Sequence, residues 1–203
     1  MTDTAQDSCF VTPERAAKLR RVLERKQPTL TVVLENVHDP HNVSAVLRSC
    51  DAVGVVDVFL IYNGRQTFPN LGARSSASAI KWIDTHMFSC VHGCFAALRA
   101  RGYAIYTTHL SSNAVSLYSL DLTQPVALVF GNEHSGISEE ALKLADKNFL
   151  IPQVGIVQSL NISVACAVSL FEAFRQRQHA GMYDTVQFTP EEFDARFHDW
   201  QLR

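Results

Sequence analysis

The stretch PVALVFGNEHSGIS, residues 125–138, passes from an apolar strand through a glycine-bounded polar turn into a capped helix. A continuous apolar run of this length suits a strand buried on both faces, as in a parallel sheet. The turn Gly131-Asn132-Glu133-His134-Ser135-Gly136 would then sit at a strand's carboxyl end, where open α/β sheets place their ligands. Its two glycines allow the backbone to approach a ligand closely. It is no P-loop, because Ile137-Ser138 stands where Lys-Ser/Thr would follow the second glycine. Taken alone it is also a plain βα turn with Ser138 as helix cap, a reading that leaves Glu133 unexplained.

Outward from this stretch the hydrophobic period alternates between strand and helix. Strands are predicted at LTVVLE (30–35), VDVFLI (56–61), KWI (81–83), YAIYTT (103–108) and NFLI (148–151). Helices are predicted at Asn42 to Val53, at Ser89 to Arg101, from near Ser138, and from Asn161 to about Gln178. Such alternation argues an α/β fold with a mainly parallel sheet covered by helices on both faces. A helix starts at Thr12-Pro13-Glu14, with Ala16, Leu19, Val22 and Leu23 at helical spacing. A last one starts at Thr189-Pro190-Glu191-Glu192, with Phe193, Phe197 and Trp200 as its apolar stripe.

Two further polar clusters fall at element boundaries. In HNVSAVLRSC (41–50), Val43, Val46, Leu47 and Cys50 form a buried helix face, while Ser44 and Arg48 lie on a polar one. Asn42 and Arg48 are about 240° apart on a regular helix, so they converge only if Asn42 caps it. In IPQVGIVQSLNIS (151–163), a glycine-containing loop enters a helix through Ser159-Leu160-Asn161. There hydroxyl, amide and backbone donors could meet a ligand, or one residue could simply be the cap. The helix beyond, ISVACAVSLFEAF, is apolar nearly all round, which suits a core or an interface.

Composition narrows the class. A chain of 203 residues, 47% hydrophobic and 19% charged, suits one compact domain with terminal additions. The net charge of −2 hides an asymmetry. Arg15, Lys18, Arg20, Arg21, Arg25 and Lys26 crowd one amino-terminal segment, whereas the stretch from Asp184 onward is acidic. Five cysteines without a C-x-x-C pair or a secretory leader argue for a reducing compartment. With no apolar run near the ~20 residues of a membrane span, the protein is expected to be soluble and cytoplasmic. No histidine has zinc-ligand spacing with cysteine, so no metal is expected. There is no G-x-G-x-x-G after any strand, and no G-x-S-x-G.

The three clusters in this order resemble the SPOUT methyltransferases of the tRNA 2′-O-ribose methyltransferase (TrmH) type, from about Arg15 to Tyr183 and including the ending RQRQHAGMY. The resemblance implies a sheet-based catalytic domain with a C-terminal deep trefoil knot, acting as a homodimer on tRNA with S-adenosylmethionine as cofactor. It implies cofactor contacts at Thr108, Gly131, Ile151 and Leu160. Asn42, Arg48, Glu133, Ser159 and Asn161 would be the catalytic or substrate set. In the family the arginine is held to activate the ribose hydroxyl. A guanidinium keeps its proton, so binding phosphate and stabilising the developing alkoxide suit Arg48 better.

The division expected is a basic helical extension at 1–28, the catalytic domain at 29–180 and a helical tail at 181–203. The chain is most like family members acting on the D-loop guanosine of tRNA, guanosine-18. Relatives acting on ribosomal RNA commonly carry a separate amino-terminal domain, and the shortest wobble-position members lack the basic helix. Another tRNA or rRNA position, or a non-catalytic RNA-binding module of the same fold, are the alternatives. The tail is shorter than in several tRNA-guanosine members.

Overall fold

The alternation of strand and helix builds a seven-stranded sheet in the computed structural model, which describes residues 11–63, 79–111, 113–157 and 159–203. The strands are β1 (Leu30–Glu35), β2 (Asp57–Ile61), β3 (Asp84–Phe88), β4 (Ala104–Thr108), β5 (Val115–Ser116), β6 (Val126–Phe130) and β7 (Lys147–Leu150). Their order is β3-β2-β1-β6-β4-β7-β5, and every pairing is parallel. The helices are α1 (Pro13–Leu23), α2 (Pro40–Ala52), α3 (Val91–Ala100), α4 (Glu139–Leu144), α5 (Ile162–His179) and α6 (Pro190–Leu202).

Strand alternation sends Val32 and Leu34 to one face, where they meet Val43, Leu47, Cys166 and Leu170 of α2 and α5. Val33 points the other way, into Val91, Phe95, Leu98 and Ala141 of α3 and α4. A third cluster, Leu19, Leu23, Phe188, Phe193 and Trp200, joins α1 to α6, so the two terminal helices pack on each other at one side of the sheet. Thr189 and Glu192 form the capping box expected at the start of α6.

Three expectations change. The KWI segment is no strand: residues Ala79–Lys81 make a 3-10 turn, and the edge strand follows at Asp84–Phe88. That strand alternates half-buried and exposed residues, so it has no apolar run to mark it. The helix expected from Asn42 starts at Pro40 instead, with Asp39 as cap, its carboxylate accepting from the His41 N–H at 2.9 Å. Proline at the first turn, with its preset φ, moves the boundary forward. The basic segment loses one member. Lys26 is 1% exposed, with its ammonium 2.7 Å from Asp51 Oδ1 and 5.6 Å from the Trp200 ring centroid. The chain passes beneath α6 there, so Lys26 does not face a nucleic acid. Arg15, Lys18, Arg21 and Arg25 are not buried in this way, and Arg20 lays its guanidinium 4.7 Å from the Phe197 ring centroid.

Helix α5 divides its apolar surface. Ile162, Cys166, Leu170 and Ala173 enter the core, while Val164 and Phe171 stay 47% and 52% exposed. Among the described residues no helix is long and apolar enough to cross a membrane.

Candidate active site

The loop after β6 is closed on itself. Asn132 N–H donates to Gly136 O at 3.1 Å, and Gly136 N–H returns to Asn132 O at 2.8 Å. A Cβ on Gly131 would lie 2.2 Å from the Gly136 carbonyl, and Gly136 has φ +68°, so both positions need glycine. The Asn132 side chain accepts from the N–H groups of His134 and Ser135 and donates to Asn36 O at 2.7 Å. Ser138 then caps α4, accepting from Ala141 N–H.

Asn161 caps α5: its Oδ1 accepts from Ser163 N–H at 2.9 Å and from Ser163 Oγ–H at 2.6 Å. That leaves its amide nitrogen to donate to Asn42 Oδ1 at 3.1 Å, and Asn42 Nδ2 donates to Glu133 Oε1 at 2.7 Å. The chain has one direction, because a capping oxygen at one end and a carboxylate at the other both accept. Residues 42, 133 and 161 are thus brought together from three elements. Asn42 is buried, inside α2 rather than at its cap.

Glu133 and Asn161 border a cavity of about 550 Å³ at the carboxyl ends of β4, β6 and β7, and Asn42 stands behind them. Thr108, Gly131, Ile151 and Leu160 all line it, together with Glu133, Ser159 and Asn161. Thr108 turns its hydroxyl back to Val129 O at 3.1 Å. Arg48 stands apart: it is exposed on α2, does not line the cavity, and has no ion-pair partner among the described residues. The condition for Asn42 and Arg48 to converge within one chain is not met, because both lie inside the helix, six residues apart.

Sequence reasoning missed two supports of this site. Tyr62 is buried and donates to Val37 O at 2.6 Å, bracing the turn before α2. Burial, and then the charge of Glu133, push its phenol well above the usual range. Asn36 takes a left-handed φ of 53° and offers its carbonyl to Asn132. Asparagine directly after a strand was the available signal. A second cavity of about 650 Å³ lies at the opposite, amino ends of the strands. Charges there pair with each other, Arg196 with Asp84 at 2.7 Å and Arg101 with Asp57 at 3.6 Å. Among the described residues no three His, Cys, Asp or Glu side chains converge as metal ligands would.

The sequence profile of the SpoU rRNA Methylase family matches residues 29–171, which hold all three motifs. The chain belongs to this family. Among SpoU relatives, the tRNA (guanosine(18)-2′-O)-methyltransferase of Thermus thermophilus is 46% identical over 189 residues, 93% of this chain and 96% of the relative. The crystal structure of the TrmH/SpoU tRNA modifying enzyme of Aquifex aeolicus superposes with a TM-score of 0.87 at 35% identity, covering 93% of this chain and 95% of that one. The AdoMet-bound rRNA methyltransferase from Sinorhizobium meliloti aligns with a TM-score of 0.66 at 29% identity, covering 79% and 60%. The seven-stranded parallel sheet with its helices is the SpoU fold.

Proposed function

We propose that this protein transfers a methyl group from S-adenosylmethionine to the ribose 2′-hydroxyl of guanosine-18 in the D-loop of tRNA. The observation that carries this reading is one cavity lined by residues of the second and third motifs, with Asn42 of the first hydrogen-bonded to Glu133 and Asn161 at its wall, in a chain that matches the Thermus tRNA enzyme along nearly its whole length.

The cavity fits the cofactor by size and by its donor set. Its volume of about 550 Å³ falls within the ~300–1,000 Å³ of small-molecule sites. Gly131, Ile151 and Leu160 offer backbone groups beside the polar side chains of Glu133, Ser159 and Asn161. When bound, S-adenosylmethionine supplies an electrophilic sulfonium methyl to an in-line nucleophile, and the thioether left behind is neutral. The protein's work is then mainly alignment, which in well-oriented cases supplies up to ~7–11 kcal/mol. The Asn42–Glu133–Asn161 chain holds the mouth of α5 and the loop after β6 in register, and so holds the two walls of the site.

Arg48 points to assembly. Its exposure outside the cavity, with exposed Val164 and Phe171 on the adjacent α5, supports a homodimer in which the partner subunit's Arg48 completes each site. There it binds phosphate and stabilises the developing alkoxide. The segment from β6 through α5 is proposed to form the family's deep trefoil knot. The extensions 1–28 and 181–203 flank the domain at 29–180, and the packing of α1 on α6 supports a single RNA-docking unit built from both.

The test is methylation of an unmodified tRNA transcript by the purified protein, with ribose methylation mapped by nucleotide. Methyl incorporation at guanosine-18, lost when that ribose is 2′-deoxy, is expected. Incorporation elsewhere, or none, overturns the assignment.

The exposed face of α1 is expected to bind RNA backbone. Neutralising Arg15, Lys18 and Arg21 leaves Arg20 on its aromatic pair and Lys26 in its ion pair. The slope of log affinity for tRNA against log salt should fall by roughly 2–3, with cofactor binding unchanged. An unaltered slope removes α1 from the docking surface.

A further inference from the structure

Two consecutive residues at the end of the first strand grip the loop after β6 at both ends. Glu35, at the end of β1, is 1% exposed, and its Oε2 accepts from Ser138 N–H at 3.0 Å. Asn36, next in the chain, accepts from Asn132 Nδ2 at 2.7 Å through its carbonyl. Between these two anchors lie Glu133 and the bond pair that closes Asn132 on Gly136. Asn36 is itself fixed, its N–H donating to Ile61 O at 2.8 Å and its Oδ1 accepting from Asn63 N–H at 3.0 Å.

A carboxylate at this position is costly to the fold. It is buried beside Cys94, whose thiol is pushed up to about 12 by burial first and by the charges of Cys90 and Glu35 after it. Glu35 Oε1 is buried and has no hydrogen-bond partner among the described residues. An apolar side chain would serve β1 better, since a buried ionisable group carries a desolvation penalty that one hydrogen bond does not offset. What the glutamate adds is a strong acceptor aimed at the N–H where the loop enters α4.

We propose that Glu35 is a positioning residue for methyl transfer: it anchors Ser138, and through it sets the shape of the 131–138 loop that carries Gly131 and Glu133 into the cofactor cavity. This rests on the methyltransferase reading above. It predicts a split between stability and function. Glu35→Leu removes the acceptor but also the buried carboxylate, so its melting temperature stays close to wild type. Its KM and Kd for S-adenosylmethionine rise about tenfold, the scale of one lost charge-assisted hydrogen bond. The KM for tRNA does not move. Glu35→Gln keeps an acceptor for Ser138 and retains at least about a third of the wild-type kcat/KM.

Calorimetric cofactor binding, steady-state kinetics and thermal melts of these variants decide the matter. An unchanged cofactor Kd in a folded Glu35→Leu protein overturns the proposal, as does an equal loss in Glu35→Gln. Should Glu35→Leu fail to fold, Ser138→Pro cuts the same bond from the other side, with Ser138→Ala, which loses the α4 cap but keeps the N–H, as its reference. Residue 138 has φ −67°, which proline adopts, and the substitution deletes the N–H donor. The same rise in cofactor Kd is expected there, and wild-type affinity overturns the proposal. Wild-type protein that binds no S-adenosylmethionine would instead sink the methyltransferase reading itself.

Discussion

Arg48→Ala is expected to abolish methyl transfer, by roughly 10³-fold or about 4 kcal/mol in the barrier, while S-adenosylmethionine still binds. The cavity proposed for the cofactor is built from β4, β6, β7 and the mouth of α5, and Arg48 does not line it. Removing an exposed side chain with no ion-pair partner among the described residues should leave the fold intact. Mixing Arg48→Ala with a cofactor-defective Leu160→Glu variant then tests where the arginine acts. If each site takes Arg48 from the partner, a heterodimer regains one working site, and an equal mixture recovers about a quarter of wild-type activity by the statistics of a two-fold dimer. A wild-type rate in Arg48→Ala overturns the assignment. No recovery on proven subunit mixing places the site within one chain.

Arg177→Leu is expected to lower stability by on the order of 4 kcal/mol, the range reached when a buried hydrogen-bond hub is broken. The guanidinium is 0% exposed and uses all five of its N–H donors. Nε donates to Leu122 O, Nη1 to Gln27 Oε1 and Thr29 Oγ1, and Nη2 to Thr29 O and Gln124 O. Burial lowers its pKa to about 10, with the nearby Tyr183, Tyr103 and Asp121 opposing that shift. Leucine would fill much of the space but strand acceptors from two chain segments, 27–29 and 122–124. With a urea m-value of about 2 kcal/mol/M, the unfolding midpoint should fall by about 2 M. A shift under about 0.5 M would mean that these acceptors find other donors.

Sequence reading reached furthest where local chemistry is self-contained. Continuous apolar runs marked β1, β2 and β6 because a strand buried on both faces has no polar alternation to confuse it. Thr12, Ser138 and Thr189 marked helix starts because a capping oxygen bonds a backbone N–H within three residues. The edge strands at 84–88 and 115–116 escaped notice. They are held by their neighbours in the sheet rather than by their own pattern.

The division is sharper at the site. Sequence alone determined the α/β class, the three polar clusters, and the placement of Glu133 and of Asn161 at element ends, since each depends on residues adjacent in the chain. Only the tertiary structure decided which of them meet. Asn42 reaches Glu133 and Asn161 across 91 and 119 residues of chain, while Arg48, six residues from Asn42, is carried around the helix and away. Lys26 belonged to a basic run by sequence but is buried against Asp51 and Trp200, because α6 returns from the far end of the chain to cover it. Glu35 looked like the polar end of a strand; its bond to Ser138 spans 103 residues and exists only because β1 and β6 lie side by side. Local bonding is written in neighbouring residues, whereas contacts between distant segments depend on the order in which strands enter the sheet.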